Sequence, residues 1–344
     1  MVLGNVLYGL AYRANFLYLI LIGRTVTGFG LISFLYAKRY CSDPRIVGIR
    51  RRTTLASWIA SGQGFGACAG PFIGGLLYKV GFANKVFNGV TSPGWIMSGI
   101  WILFGILSSQ IFKDVPIQPR GESGDLYELS QTNREKESQL STVEKRNVTP
   151  PSQQWGVIIC MCYYSMTCYF MLGSWEANIP IFTAQVLNYS PYQVGNFLAL
   201  GGIAAFPFLM LNVRYARHIE DRFILAVGTS LGLIGLLIML AILLADKVRS
   251  SSLLVCWFLI TLGFNLASTC SLSLLSKQLP DAWNNAICLA IQYSSFVGRV
   301  SGAILGGAGI EIGMINYVGL HIAVVGIGNL MYLTLWKQLK AKTG

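Results

Sequence analysis

Only two histidines, His218 and His321, occur in the 344 residues, and only 12% of the chain is charged. A soluble domain usually carries about twice that charged fraction. The eight cysteines (41, 68, 160, 162, 168, 256, 270 and 288) lie mostly inside apolar runs. Their spacing suits neither a metal cluster nor a secreted disulfide framework, and they read as small apolar packers. Cys160 and Cys162 come nearest to a ligand pair, but no histidine or second pair accompanies them. Neither a phosphate-binding loop nor a nucleophile elbow is read in the sequence, so an enzyme is not expected, and neither is a metal or a cofactor. No basic region precedes the first apolar run, so a cleavable signal peptide is not expected either.

What the chain has in quantity is apolar sequence, 53% of its residues. Runs of membrane-crossing length recur from end to end, which defines an all-α polytopic membrane protein. Nine full spans are read at roughly 16–37, 54–78, 93–112, 155–177, 194–213, 223–244, 253–275, 286–308 and 317–336. Before them stands VLGNVLYGLAY, residues 2–12. At ~1.5 Å per residue this reaches about 16 Å, half of a ~30 Å hydrocarbon core, so it reads as the second half of a spanning helix.

The net charge of +12 would suit nucleic acid on a soluble surface. Here the basic residues sit in loops, so the expected partner is the lipid bilayer and not nucleic acid. If the spans alternate, nineteen Lys and Arg fall on one side and five on the other. That excess places the C-terminus and the polar stretch 113–153 in the cytoplasm. The stretch is rich in Ser, Glu, Gln and Lys, ends in Pro150-Pro151, and reads as a mostly disordered linker. The expected organisation is an incomplete N-terminal helical bundle (1–112), the cytoplasmic linker (113–153) and a six-helix C-terminal bundle (154–344).

A repeat crosses the linker. Gly62, Gly66, Gly70 and Gly74 recur every fourth residue, followed by Gly75; Gly298, Gly302 and Gly306 do the same, followed by Gly307. Positions 66/70/74/75 and 298/302/306/307 match at a constant offset of 232, and GFGLIS (28–33) is echoed by GFNLAS (263–268). Internal repeats flanking a cytoplasmic linker point to a transporter. Glycines at i, i+4 and i+8 share one helical face, and in lipid such a face lets another helix approach closely. Pro71 removes one backbone N–H within the first stripe and bends the helix there.

The stretch GACAGPFIGG (66–75) fits G-x-x-x-G-P-x-x-G-G in full and resembles the fifth-helix motif of the major facilitator superfamily, prominent in proton-coupled antiporters. Arg24-Thr-Val-Thr-Gly28 is similar to that superfamily's fourth-helix R-x-x-Q-G motif, with Thr27 in place of Gln. The resemblance covers essentially the whole chain and implies two helical bundles, cytoplasmic termini and alternating access. In that numbering residues 2–12 correspond to the end of the third helix, with the first two helices and part of the third lacking. The resemblance further implies that the Gly66–Gly74 face packs on the 194–213 span, whereas the partner of the Gly298–Gly306 face, the second helix, is missing. GRTVTGFG, KRYCSD, SGQGFGACAGP, SWEANIP and IEDRFIL look like the branch holding SPX-type vacuolar phosphate transporters and the lysosomal facilitator protein linked to ceroid lipofuscinosis. That likeness implies an endomembrane, vacuolar or lysosome-like, and an anionic solute.

Three ionisable side chains other than His lie clearly within spans: Arg24, Glu176 and Arg299. A charge at mid-bilayer costs at least ~2.5 kcal/mol, so each is a functional candidate. Arg24 reads as a binder of anionic substrate, against a structural role at helix-end carbonyls. Arg299 is a further candidate, against a side chain that snorkels to the interface. Glu176 lies in GSWEANIP, where Asn178 and Pro180 are expected to break the helix. A carboxyl group held there can take up and release a proton, which makes Glu176 the candidate for proton coupling or gating. Tyr163, Tyr164, Asn265, Ser268 and Thr269 belong to the equivalents of the superfamily's seventh and tenth helices, which line its pathway, and are cavity candidates by that resemblance. Interhelical hydrogen bonding is the alternative for each. His321 reads as a packed helix residue. Arg214, Arg217, Asp221 and Arg222 of RYARHIEDR resemble a divergent copy of the superfamily's charged gating loop; anchoring of topology is the alternative. The expected function is a secondary transporter moving a small, phosphate-like solute, with protons as the expected co-substrate. An anion channel on the same scaffold and a non-transporting remnant remain open.

Overall fold

The computed structural model describes residues 1–30, 49–111, 152–215, 219–278 and 284–339. The expected linker 113–153 and Arg217 lie outside the described residues, apart from the linker's last two positions. Ten helices are described: α1 (Val2–Leu10), α2 (Tyr18–Gly30), α3 (Ile49–Val80), α4 (Ser92–Ile111), α5 (Ser152–Val186), α6 (Pro191–Tyr215), α7 (Asp221–Leu244), α8 (Ser250–Gln278), α9 (Asn284–Ile312) and α10 (Met314–Thr334). Six of these, α4, the Trp155–Val186 part of α5, α6, α7, the Ser250–Ser271 part of α8, and α10, are long and apolar enough to cross a membrane. The helices α3 and α9, of 32 and 29 residues, are long enough but carry the glycine stripes and charges that lower their hydropathy.

The core lies in the C-terminal half. Helix α5 is its centre and packs on α6, α8, α9 and α10. Accordingly Cys160, Met161, Cys168, Met171, Trp175 and Ile179 along its length are fully enclosed. No single apolar stripe is needed in a helix covered on several sides. Pro180 does not break α5, contrary to the sequence expectation; the helix runs on to Val186. What the proline removes is the N–H that would bind the carbonyl of Glu176, four residues back.

Close helix pairs are built on glycine throughout. Gly228 and Gly232 of α7 meet Gly263 and Phe264 of α8; Gly4 of α1 meets Gly23 and Thr27 of α2; Gly9 of α1 lies against Trp95 of α4. The letters G-T-S-L-G at 228–232 match a nucleophile-elbow pattern, but they lie inside α7, where both glycines are consumed by packing and no strand-to-helix turn exists.

The two motif stripes behave in opposite ways. Helix α3 does pack on α6, but through its other face: Gly75 touches Tyr192 and Pro191, the carbonyl of Pro71 faces Gly195, and Cys68 lies on Gly202. An alanine Cβ at Gly62, Gly66, Gly70 or Gly74 would meet nothing within 4 Å. On α9 the pattern inverts. Gly307 is open, while a Cβ at Gly298, Gly302 or Gly306 would overlap the carbonyl oxygen of Met166, Phe170 or Ser174. The Gly298–Gly306 face therefore has a partner within this chain, α5, which corrects the expectation that its partner is lost.

Candidate functional site

The α5–α9 contact positions the one ion pair described between two spanning helices. Ser165 and Ser295 hydroxyls meet at 2.7 Å at one end. Asn178 Nδ2 donates to the Gly306 carbonyl at 3.2 Å at the other. Between them the glycines bring the backbones together, and Gly173 of α5 leaves room for Arg299: a Cβ there would lie 2.8 Å from the Arg299 carbonyl oxygen and 3.3 Å from its Cγ. From that position Arg299 Nη2 donates to Glu176 Oε2 at 2.5 Å. Arg299 thus bonds to a carboxylate within the bundle rather than reaching for the interface. The two side chains keep 46% and 27% of their surface accessible, whereas Trp175, the neighbour of Glu176, has none.

The pair faces the N-terminal half. Tyr169 lies seven residues before Glu176, so the two share one face of α5. The Tyr169 hydroxyl donates to Gln63 Oε1 of α3 at 3.3 Å. Gln63, Tyr169 and Gly173 were not singled out by the sequence reading. The seven-residue spacing of Tyr169 and Glu176 and the polar Gln63 within an apolar run were the available signals.

The other candidates are placed elsewhere. Arg24 is exposed on α2, its guanidinium 5.0 Å from the ring centroid of Tyr8 on α1, while Thr27 spends its hydroxyl on the Gly23 carbonyl of its own helix at 2.8 Å. Tyr163 and Tyr164 donate to Val324 O at 2.8 Å and Asn329 Oδ1 at 3.1 Å, both on α10. Asn265, Ser268 and Thr269 bond to carbonyls of their own helix α8, at 2.7, 2.8 and 2.7 Å. His321 is enclosed, with Nδ1 2.6 Å from the Tyr317 carbonyl. In the charged loop Arg222 bonds Glu220 at 2.5 Å and lies 4.9 Å from the Trp336 ring, and Tyr332 donates to the Arg222 carbonyl at 2.7 Å. Asp221 is buried, and Arg214 is exposed at the end of α6. These contacts tie the loop to the end of α10.

Tyr164→Phe is therefore expected to destabilise the bundle by about 1 kcal/mol through loss of one hydrogen bond, with solute selectivity unchanged. Thermal unfolding in detergent and a competition assay check the two halves of that statement.

A bundle of apolar helices with glycine-packed pairs and a partly accessible internal ion pair defines a multi-pass integral membrane protein of the transporter class. The sequence matches the Major Facilitator Superfamily over residues 1–303, and the chain belongs to that family, whose members are transporters and not enzymes. An uncharacterized MFS-type transporter of Schizosaccharomyces pombe is 31% identical over 353 residues, covering 100% of this chain and 67% of the relative. The chain thus spans about two thirds of the length of such curated relatives. An SPX domain-containing membrane protein of Arabidopsis thaliana is 36% identical over 119 residues, 34% of this chain and 16% of that protein. Among solved structures, the proton:xylose symporter XylE bound to 6-bromo-6-deoxy-D-glucose shares the fold, with a TM-score of 0.70 over 99% of this chain and 79% of the other at 15% identity.

Proposed function

We propose that the protein is a proton-coupled secondary transporter that moves a small anionic, phosphate-like solute by alternating access across a vacuolar or related endomembrane. The observation that carries this reading is the Glu176–Arg299 pair, a titratable carboxylate of α5 and a fixed cation of α9 joined across the two helices. Charged groups within spanning segments mark substrate and proton pathways. The glycine-cleared α3–α6 contact joins the two halves and is a surface on which packed helices can shift. Residues 1–112 and 154–344 act as the two moving bodies, joined by the cytoplasmic linker 113–153, with the C-terminus on the same side. The likeness to plant SPX domain-containing membrane proteins supports the endomembrane setting.

Glu176→Gln in the full chain is expected to abolish the dependence of solute flux on pH, measured in vesicles between about pH 5.5 and about pH 7.5. Unchanged pH dependence sinks the coupling role. Ionic current that flows without proton movement would make the protein a channel on the same scaffold.

A further inference from the structure

We propose that Arg299 is the oxyanion-binding residue of this site and that Glu176 is its resident counter-ion, so that a small oxyanion takes the place of the Glu176 carboxylate when that carboxylate is protonated. The inference rests on the transporter reading above and adds to it the ligand class and the group that binds it.

The geometry argues for displacement. The Glu176 carboxylate sits on the guanidinium as an external carboxylate, sulfate or phosphate would. A guanidinium has five N–H donors, and the Glu176 contact uses one, at Nη2. Gly298 and Gly302 on either side press α9 onto the carbonyls of Met166 and Phe170, so the backbone that carries Arg299 stays against α5. Its side chain is nearly half exposed. Tyr169, on the Glu176 face of α5, bonds Gln63 of α3 across to the other half of the protein.

The surroundings leave Glu176 and Arg299 to each other. Helix α9 offers one further charge, Glu311, twelve residues beyond Arg299. The charged residues of α6 and α8 are Arg214 and Lys277, both in the last turn of their helices, and α10 has none. Among the described residues, the titratable groups in contact with α5 are Tyr317, His321 and Tyr332 of α10, against Ser174, Trp175 and Tyr164. Tyr317 shares a 2.8 Å hydrogen bond with Ser174, and His321 lies on the Tyr317 carbonyl. Tyr192 of α6 lies under Lys79 at 4.5 Å. With Glu176 charged, only the fraction of Arg299 not held by it binds an external anion, and the apparent dissociation constant rises by the inverse of that fraction.

The test is equilibrium binding of radiolabelled sulfate, and separately of acetate, to the full chain in phosphatidylcholine nanodiscs, with chloride as control. Sulfate keeps its charge across the range used, so any pH effect belongs to the protein. Wild type is expected to bind more tightly at about pH 5.5 than at about pH 7.5. Glu176→Gln is expected to bind at least about tenfold more tightly than wild type at the higher pH and to lose the pH difference. Glu176→Asp, which draws the carboxyl back by one methylene, is expected to fall between them and serves if the Gln variant does not assemble. Arg299→Gln is expected to bind neither anion. The sulfate and acetate arms separate a tetrahedral from a planar ligand. The proposal is overturned if both Glu176 variants bind no more tightly than wild type, or if Arg299→Gln binds as wild type does. Tighter binding by Glu176→Gln with a flux indifferent to pH would leave the role of Arg299 standing and remove the coupled-transport reading. Coupled flux without the binding change would do the reverse.

Discussion

Replacing Gly302 with Ala is expected to destabilise the C-terminal bundle by about 1–3 kcal/mol, and replacing it with Leu to prevent its assembly. A Cβ at this position runs into the carbonyl oxygen of Phe170, and the flanking glycines 298 and 306 meet Met166 and Ser174 in the same way. Backbone atoms cannot swing aside as a flexible side chain can, so the added methyl must push α5 and α9 apart. That movement also separates Arg299 from Glu176. The same change on the twin helix has the opposite sign. Gly66→Ala and Gly70→Ala meet nothing within 4 Å, and exchanging helical glycine for alanine contributes about 0.5–1 kcal/mol of stability. Unfolding midpoints of the three alanine variants in one detergent, followed by tryptophan fluorescence, check the contrast. Equal shifts at positions 66 and 302 would mean that the two stripes have the same surroundings.

Removing the cation is expected to cost more function than removing the carboxylate. Arg299→Gln leaves Glu176 inside the membrane with no opposite charge described beside it, and it deletes the group proposed to bind solute. Flux is expected to fall at least about tenfold at every pH, the factor that ~1.4 kcal/mol represents. Glu176→Gln keeps the cation, so flux survives while its pH dependence goes. Arg299→Lys keeps the charge but loses the planar fork, and an intermediate flux is expected. The order wild type, Glu176→Gln, Arg299→Lys, Arg299→Gln at neutral pH is the readout. Arg299→Gln transporting as well as Glu176→Gln would show that the pair serves packing and not solute.

The membrane class, the helix positions in the C-terminal half and the family were legible from apolar run lengths and from GACAGPFIGG. Apart from the α3–α6 pairing, which the resemblance implied, the neighbours of the helices were not. Periodicity shows that Gly62, Gly66, Gly70 and Gly74 share a face, but not whether a helix covers it. In a soluble protein the polar face would mark the outside. Here the outside is as apolar as the inside, so that signal is missing. The same limit hid the meeting of Glu176 with Arg299, which are 123 positions apart and joined only because α5 and α9 press together. It also left Tyr163 and Tyr164 open as cavity residues, when their hydroxyls are held by Val324 and Asn329 of α10. Pro180 looked like a helix end because proline removes a donor, yet the enclosure of α5 by its neighbours carries the helix through.

The most direct test of the account is uptake of radiolabelled phosphate into proteoliposomes carrying the full chain, with and without an imposed proton gradient. The account expects the gradient to drive phosphate beyond its equilibrium level in wild type, and expects Glu176→Gln to bring it only to equilibrium whatever the gradient. Uptake by wild type that ignores the gradient, or uptake by Glu176→Gln that still follows it, would contradict it.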